Sequence, residues 1–169
     1  DFLENLVNYA YLAIGSNLGN KIYNLELVKS KLNEKNIFTY KSSSFYLTKS
    51  WPNTKFPKYI NAVLLIKTNL SLLELFDYVK KVEKSLGRVK TPKNHPRICD
   101  IDIIDFNGQI FNFTNIDLKI PHPRMHLRNF VLMPLYEINK SWNHPKIKKN
   151  IVKLISNISS DDIRSIKII

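Results

Sequence analysis

Apolar positions along the chain recur with two different periods, and each period predicts a type of element. The short apolar run Tyr9–Ile14 ends at Gly15 and predicts a first strand. Apolar residues at helical spacing predict a first helix over Lys21–Asn33. The β-rich stretches Ile37–Leu47 and Tyr59–Thr68 predict a long second strand and a third strand, separated by a proline-containing loop.

The next segment repeats this alternation of helix and strand. A capping box at Ser71–Glu74 opens a second helix that runs to about Leu86. Arg97–Phe106 predicts a fourth strand. Asn107-Gly108 predicts a tight turn, with a hairpin returning through Gln109–Phe113.

The order β-α-β-β-α-β predicts an α+β fold with a ferredoxin-like core. Its sheet should be mainly antiparallel, with both helices on one face, followed by the extra β-hairpin and C-terminal helices. Leu127–Ile138 and the basic amphipathic stretch Ile147–Ile158 predict those helices. We expect one domain over 1–169, with a core at about 9–145 and a basic helical tail at about 146–169.

The charge pattern draws attention to arginine. The net charge is +12, but most of it comes from 21 lysines in a chain that also favours asparagine and isoleucine, so it reflects composition more than a polyanionic partner. There are five arginines, and four lie in two short segments: Arg88, Arg97, Arg124 and Arg128. A guanidinium grips phosphate oxygens bidentately, which lysine cannot do, although chance or structural ion pairs could also explain the clustering.

Cysteine content and hydropathy argue against a disulfide-bonded protein and against a membrane-spanning one. Cys99 is the only cysteine, which excludes an internal disulfide and fits a reducing compartment. The sequence shows no membrane-spanning run and no signal-peptide pattern, so we expect a cytoplasmic location.

Two carboxylates in the fourth strand are the strongest chemical signal. Asp100 and Asp102 point to the same face, with Cα atoms roughly 6–7 Å apart, while Ile101 and Ile103 point into a core. A divalent cation such as Mg²⁺, bound by one or two carboxylates and by phosphate oxygens, would relieve their repulsion. The alternative is a half-buried strand with an ordinary polar face.

Seven segments occur in a fixed order across about residues 9–145, and together they resemble the 6-hydroxymethyl-7,8-dihydropterin pyrophosphokinase family. They are G-S-N-L-G at 15–19, S-S-F-Y-L-T at 43–48, Y-I-N-A at 59–62, E-K-S-L-G-R at 83–88, H-P-R-I-C-D-I-D-I-I at 95–104, I-P-H-P-R at 120–124 and R-N-F-V-L-M-P-L at 128–135. The resemblance implies a ferredoxin-like enzyme of folate biosynthesis. Such an enzyme transfers pyrophosphate from ATP to the pterin hydroxymethyl group and releases AMP.

The resemblance also implies roles for individual residues. Asp100 and Asp102 would hold two Mg²⁺ ions and, with Arg88 and Arg97, form the catalytic group. The implied ATP-binding residues are Glu83, Arg88, Arg97, Ile103, His122 and Arg128. The implied pterin-binding residues are Thr48, Tyr59, Asn61 and Phe130. The chain departs from the family where Trp51 follows Ser50, and at Asn94-His95, where many members have tryptophan.

The partner expectations follow from this assignment. We expect ATP and the pterin as small-molecule substrates, no nucleic acid and no membrane, and either a free enzyme or one fused to a neighbouring folate enzyme. Two other classes stay open. The basic split-βαβ pattern also permits an RNA-binding module, although the RNP1 signature is absent. A scaffold whose basic tail, Lys146 to Lys153, contacts a membrane is the third possibility.

Overall fold

A computed structural model describes residues 6–50, 52–87, 92 and 95–169 of the chain. Arg88 and Trp51, as well as Lys90, Lys93 and Asn94, lie outside the described residues. In chain order the elements are β1 (Asn8–Ser16), α1 (Lys21–Glu34), β2 (Phe38–Ser42), β3 (Tyr46–Thr48), β4 (Tyr59–Thr68), α2 (Leu72–Ser85), β5 (Asp100–Phe106), β6 (Phe111–Asn112), β7 (Lys119–Ile120), α3 (Asn129–Ile138), α4 (Ile151–Ser156), α5 (Ser160–Ser165) and β8 (Lys167–Ile168).

The predicted α+β, ferredoxin-like core is confirmed. The main sheet has the order β5-β1-β4-β3-β8, with β2 also pairing with β4, and every pairing in it is antiparallel. Helices α1 and α2 cover one face, where Leu12, Leu25 and Val79 belong to the same buried cluster. A second cluster, containing Val63, Ile104 and residues of α3 and α4, lies on the opposite face. No helix among the described residues has the length and apolar character needed to cross a membrane.

The prediction of one long second strand is wrong, because the structure has two strands, β2 and β3, separated by residues 43–45. β2 pairs with β4 between residues 64 and 67, and β3 pairs with it between residues 59 and 61. At the break, the Ser43 hydroxyl accepts the Val63 N–H at 2.9 Å, in place of a backbone carbonyl. A side-chain substitute of this kind leaves the β-rich composition unchanged, so the sequence pattern gives no sign of it.

The prediction that residues after the Asn107-Gly108 turn pair with β5 is also wrong. The turn at Asn107-Gly108 forms, and both residues have positive φ. The chain then pairs β6 with β7 in a separate two-stranded sheet, not with β5. The outer edge of β5 is already occupied, because the Ile101 N–H donates to Glu83 at 2.7 Å and the Ile104 carbonyl accepts the His122 N–H at 2.9 Å.

The element ends differ from the prediction in the second half of the chain. Strand four begins at Asp100, not at Arg97, and the helix predicted over 127–138 begins at Asn129, after a single 3₁₀ turn. The predicted basic helix over 147–158 shortens to α4, whose N-terminus is capped by Asn150. α5 lies within the predicted helical tail, whereas the strand β8 was not predicted.

Candidate functional site

The two carboxylates of β5 share one face of the sheet, as predicted, and in the structure it is the face opposite α1 and α2. The Asp100 and Asp102 side chains are 29% and 33% exposed. Ile101 and Ile103 are 1% and 5% exposed and point into the first core. The alternation of a strand therefore leaves both acids open to a ligand while the intervening isoleucines anchor the strand.

Each carboxylate has an arginine beside it. The Arg97 guanidinium donates to the two carboxylate oxygens of Asp100 at 3.3 and 3.2 Å. Arg128 Nη1 lies 3.5 Å from Asp102 Oδ2. Both guanidinium groups are partly exposed, so the ion pairs can be exchanged for contacts to an incoming anion.

His122 approaches the same carboxylate from the segment before α3. Its Nε2 lies 3.9 Å from Asp102 Oδ2, and its Nδ1 accepts the Arg124 N–H at 3.2 Å. Burial lowers the pKa of His122, Arg128 and Arg124 lower it further, and Asp102 opposes the shift. Because Nδ1 accepts the Arg124 N–H, the ring carries a proton on Nε2, which lies near Asp102 but beyond hydrogen-bond distance.

Arg128 and Phe130 stand on either side of the first residue of α3. The Arg128 guanidinium carbon lies 5.5 Å from the centre of the Phe130 ring. Burial lowers the pKa of the Arg128 guanidinium, and Asp102 counteracts this. The amino end of α3 thus presents one cation and one aromatic ring to the carboxylate face.

The opposite wall of the site is built by β3 and β4. The Asn61 amide donates to Thr48 Oγ1 at 2.8 Å, and both residues are buried. Tyr59 is half-buried on the same face of β4 as Asn61. Gly15 of β1 lies between this wall and the acids, because it is paired with Asn61 on one side and with Asp100 on the other.

Two residues of the G-S-N-L-G segment contribute to the site more than the sequence indicated. A Cβ on Gly15 would lie 2.6 Å from Asn61 Oδ1, so this position requires glycine. Asn17 is 1% exposed, accepts the Arg97 N–H at 2.7 Å and donates to the Pro57 carbonyl at 3.2 Å. Neither contact could be predicted from the sequence, because both join segments that are distant along the chain.

Glu83 and Ile103 are not brought to the carboxylate face. Ile103 packs in the first core. Glu83 is 2% exposed, and its carboxylate accepts the Ile101 N–H at 2.7 Å and the Lys80 ammonium at 3.1 Å. Glu83 thus satisfies an edge donor of β5 and joins α2 to that strand. Their nucleoside roles stay predictions, and that of Arg88 lies outside the described residues.

Comparison with known proteins adds a family assignment. Residues 11–140 match the model of the family described as 7,8-dihydro-6-hydroxymethylpterin-pyrophosphokinase (HPPK). Folic acid synthesis protein FOL1 of Dictyostelium discoideum is 39% identical over 140 residues, which cover 83% of this chain and 21% of that protein. The 2-amino-4-hydroxy-6-hydroxymethyldihydropteridine pyrophosphokinase of Haemophilus influenzae is 38% identical over 130 residues, which cover 76% of this chain and 80% of the bacterial protein.

Solved structures agree on the fold. The crystal structure of Plasmodium falciparum HPPK-DHPS wild type with pterin and p-hydroxybenzoate matches 99% of this chain and 46% of that chain. The TM-score is 0.78 and the sequence identity is 16%. The chain therefore corresponds to about half the length of that structure, and to 21% of the Dictyostelium and Pneumocystis carinii folic acid synthesis proteins.

Proposed function

Because the chain belongs to the 7,8-dihydro-6-hydroxymethylpterin-pyrophosphokinase family, we propose that it transfers pyrophosphate from ATP to 6-hydroxymethyl-7,8-dihydropterin in folate biosynthesis. The observation that carries the proposal is the carboxylate face. Two half-exposed acids, each beside an arginine, lie next to a buried amide–hydroxyl pair across a required glycine. That arrangement supplies an anion-binding half and a heterocycle-binding half within one site.

The carboxylate pair fits magnesium. Mg²⁺ is held in proteins by one or two carboxylates together with substrate phosphates and water, and not by a closed protein cage. Asp100 and Asp102 match this pattern, since both are partly open and no third acid, histidine or cysteine completes a metal-binding group among the described residues. We propose that they hold two Mg²⁺ ions. When bound, the ions would neutralise phosphate charge and act as a Lewis acid at the transferred group.

The arginines and His122 bind the phosphate chain in this proposal. Arg97 and Arg128 leave their carboxylates and grip phosphate oxygens, which a planar guanidinium does bidentately. His122 donates its Nε2–H to a phosphate oxygen. Arg88, Glu83 and Ile103 complete the ATP site as predictions from the family pattern.

The pterin lies on the other half of the site. We assign Tyr59 and Phe130 to the two faces of the ring, because a half-buried tyrosine and an aromatic ring at the amino end of α3 can stack on a flat heterocycle. Asn61 and Thr48 hydrogen-bond its polar edge. Buried amide and hydroxyl groups of this kind reject analogues that leave them unpaired.

The transfer is an in-line displacement on the β-phosphorus of ATP. The substrate hydroxymethyl oxygen forms a bond to the β-phosphorus, and the bond from the β-phosphorus to the oxygen bridging the α-phosphorus breaks. AMP leaves with that bridging oxygen, and the hydroxyl proton passes to solvent. The chain's contribution is positioning and charge stabilisation, so no covalent enzyme intermediate is required.

The direct test is AMP release that depends on ATP, magnesium and hydroxymethyldihydropterin together. We expect Asp102→Asn to lower kcat by at least about 100-fold, because it removes charge where the phosphates transfer, while circular dichroism stays unchanged. Asp77→Asn, at an exposed residue of α2 on the other side of the sheet, is the matched control and should keep full activity. Folded wild-type protein that releases no AMP would refute the proposal.

The proposal also covers the partner enzyme and the cellular location. In the relatives whose names include folic acid synthesis or HPPK-DHPS, the matched region is part of a longer protein, and we propose that this chain acts beside or fused to another folate enzyme. A cytoplasmic location is the sequence prediction for such an enzyme.

A further inference from the structure

Residues 159–169, here called the C-terminal strap, lie along the edge strand that ends at the site. β8 pairs antiparallel with β3, where Ile168 is opposite Tyr46 and Lys167 is opposite Leu47. The Ile169 N–H donates to the Phe45 carbonyl at 3.1 Å. The strap therefore covers the outer edge of the short strand whose last residue is Thr48.

The strap also contacts the amino end of α3, on the other side of the site from β3. The Asn129 amide donates to the carbonyl of Asp162, in α5, at 2.6 Å. Asn129 is the first residue of α3 and lies between Arg128 and Phe130 in the chain. The strap consequently bridges the strand that carries Thr48 and the helix end that carries the cation and the aromatic ring.

A second tie joins β3 to the far end of α3. The Glu137 carboxylate accepts the Ser44 N–H at 2.9 Å and the Tyr46 hydroxyl at 2.6 Å. Glu137 lies near the carboxyl end of α3, and Asn129 lies at its amino end. Near its carboxyl end α3 is bonded directly to β3, and at its amino end it is linked to β3 through the strap, so both ends of the helix are positioned relative to that strand.

The strap contributes little to the hydrophobic core. No residue of α5 is buried, and Ile168 and Ile169 are 63% and 55% exposed. Its attachment depends on hydrogen bonds at a few points. Loss of those bonds should change local geometry more than global stability, since global stability follows mainly from apolar burial.

We propose that the C-terminal strap positions the two walls of the heterocycle site, setting the spacing between the Thr48–Asn61 pair and Phe130. This inference rests on the proposed function and names a segment that acts on the substrate through other residues. It follows that disturbing the strap weakens pterin binding more than ATP binding, because Thr48 and Phe130 both lie on elements that the strap contacts, whereas of the phosphate-binding residues only Arg128 lies at that helix end.

The test compares Ile169→Pro with Ile169→Ala. Proline removes the N–H that donates to Phe45, whereas alanine keeps it and changes only an exposed side chain. We expect Ile169→Pro, and separately Asn129→Ala, to raise the KM for the pterin about fivefold, corresponding to one lost hydrogen bond. The KM for ATP should rise less than the KM for the pterin, the denaturation midpoint should stay near wild type, and Ile169→Ala should match wild type throughout.

Two results would overturn the strap proposal. One is an unchanged pterin KM in both Ile169→Pro and Asn129→Ala. The other is a parallel rise of both KM values with a lower denaturation midpoint, which would indicate general destabilisation. Hydrogen exchange separates this proposal from the proposed function, because it needs no turnover. Ile169→Pro must speed exchange of the β3 amides relative to Ile169→Ala, and equal exchange refutes the strap even if the wild type makes no product.

Discussion

Gly15→Ala should damage the heterocycle half of the site through a single added methyl group. The new Cβ would lie 2.6 Å from Asn61 Oδ1, about 0.8 Å inside ordinary van der Waals contact, and 3.6 Å from the Tyr59 ring. Both Gly15 and Asn61 lie within paired strands, so the backbone cannot move apart without breaking the ladder. The Asn61 side chain must rotate instead.

The magnitude follows from what that rotation breaks. Moving Asn61 removes its 2.8 Å hydrogen bond to Thr48 and leaves two buried polar groups unpaired. Each unsatisfied buried group costs about 1–3 kcal/mol, and overpacking costs a similar amount. Because rotation of Asn61 relieves the overpacking, the two unpaired groups set the expected loss, about 2–6 kcal/mol in the free energy of unfolding. We also expect the pterin KM to rise at least about tenfold, because the displaced amide no longer meets the heterocycle.

Urea denaturation and steady-state kinetics check the two parts separately. Gly108→Ala is the matched control, because its φ of +65° makes alanine strained although nothing lies within 4 Å of the added Cβ. It should lose stability with an unchanged pterin KM. In Gly15→Ala/Asn61→Ala the clash disappears, so the two stability losses should not add. Fully additive losses, or a normal pterin KM in Gly15→Ala, would refute the reasoning.

Three further predictions concern buried polar groups. Burial and the nearby His126 lower the pKa of His144 from 6.5 to about 4. Between pH 6.5 and 4 the unfolded chain therefore binds more protons than the folded chain, and the free energy of unfolding should fall by up to about 3 kcal/mol as the pH is lowered through this range. Denaturation of His144→Asn at several pH values should show a smaller dependence of stability on pH than the wild type does. The Ser50 hydroxyl is buried with no hydrogen-bond partner in the described part of the chain, so Ser50→Ala should stabilise the fold by about 1 kcal/mol in a thermal melt. Ser43→Ala is the control: it loses a hydroxyl that accepts the Val63 N–H, and it should destabilise the fold in the same melt. Glu83→Ala leaves the Ile101 N–H without its acceptor and should lower the free energy of unfolding by about 2 kcal/mol in urea denaturation. Glu83→Gln keeps an acceptor oxygen and should lower it clearly less.

Strand alternation explains why the carboxylate face could be predicted. The period of two is local, so Asp100 and Asp102 share a face wherever the strand lies. The scarcity of arginine in a lysine-rich chain pointed to Arg97 and Arg128, and the structure places both beside those acids. Features that depend on spacing within one segment were therefore accessible from the sequence.

Features that depend on contacts between distant segments were not accessible. The break between β2 and β3 depends on Ser43 bonding across the sheet to Val63, in a stretch whose composition is uniformly β-rich. β8 has two exposed residues, and it is a strand only because β3 offers an open edge. Asn17 in a turn is ordinary, and nothing in its neighbours shows that it is buried between Arg97 and Pro57.

The carboxylate face changes character along its length, and this change explains how the site is assembled. Toward one end, Val63 and Ile104 belong to the second core, on which α3 packs. Two residues further along the same strands, Asn61 and Asp102 replace them with polar groups. The apolar end holds the body of α3, so the amino end of that helix projects over the polar end. Arg128 therefore reaches Asp102, with the Phe130 ring beside its guanidinium, because the hydrophobic pattern of the sheet ends where it does.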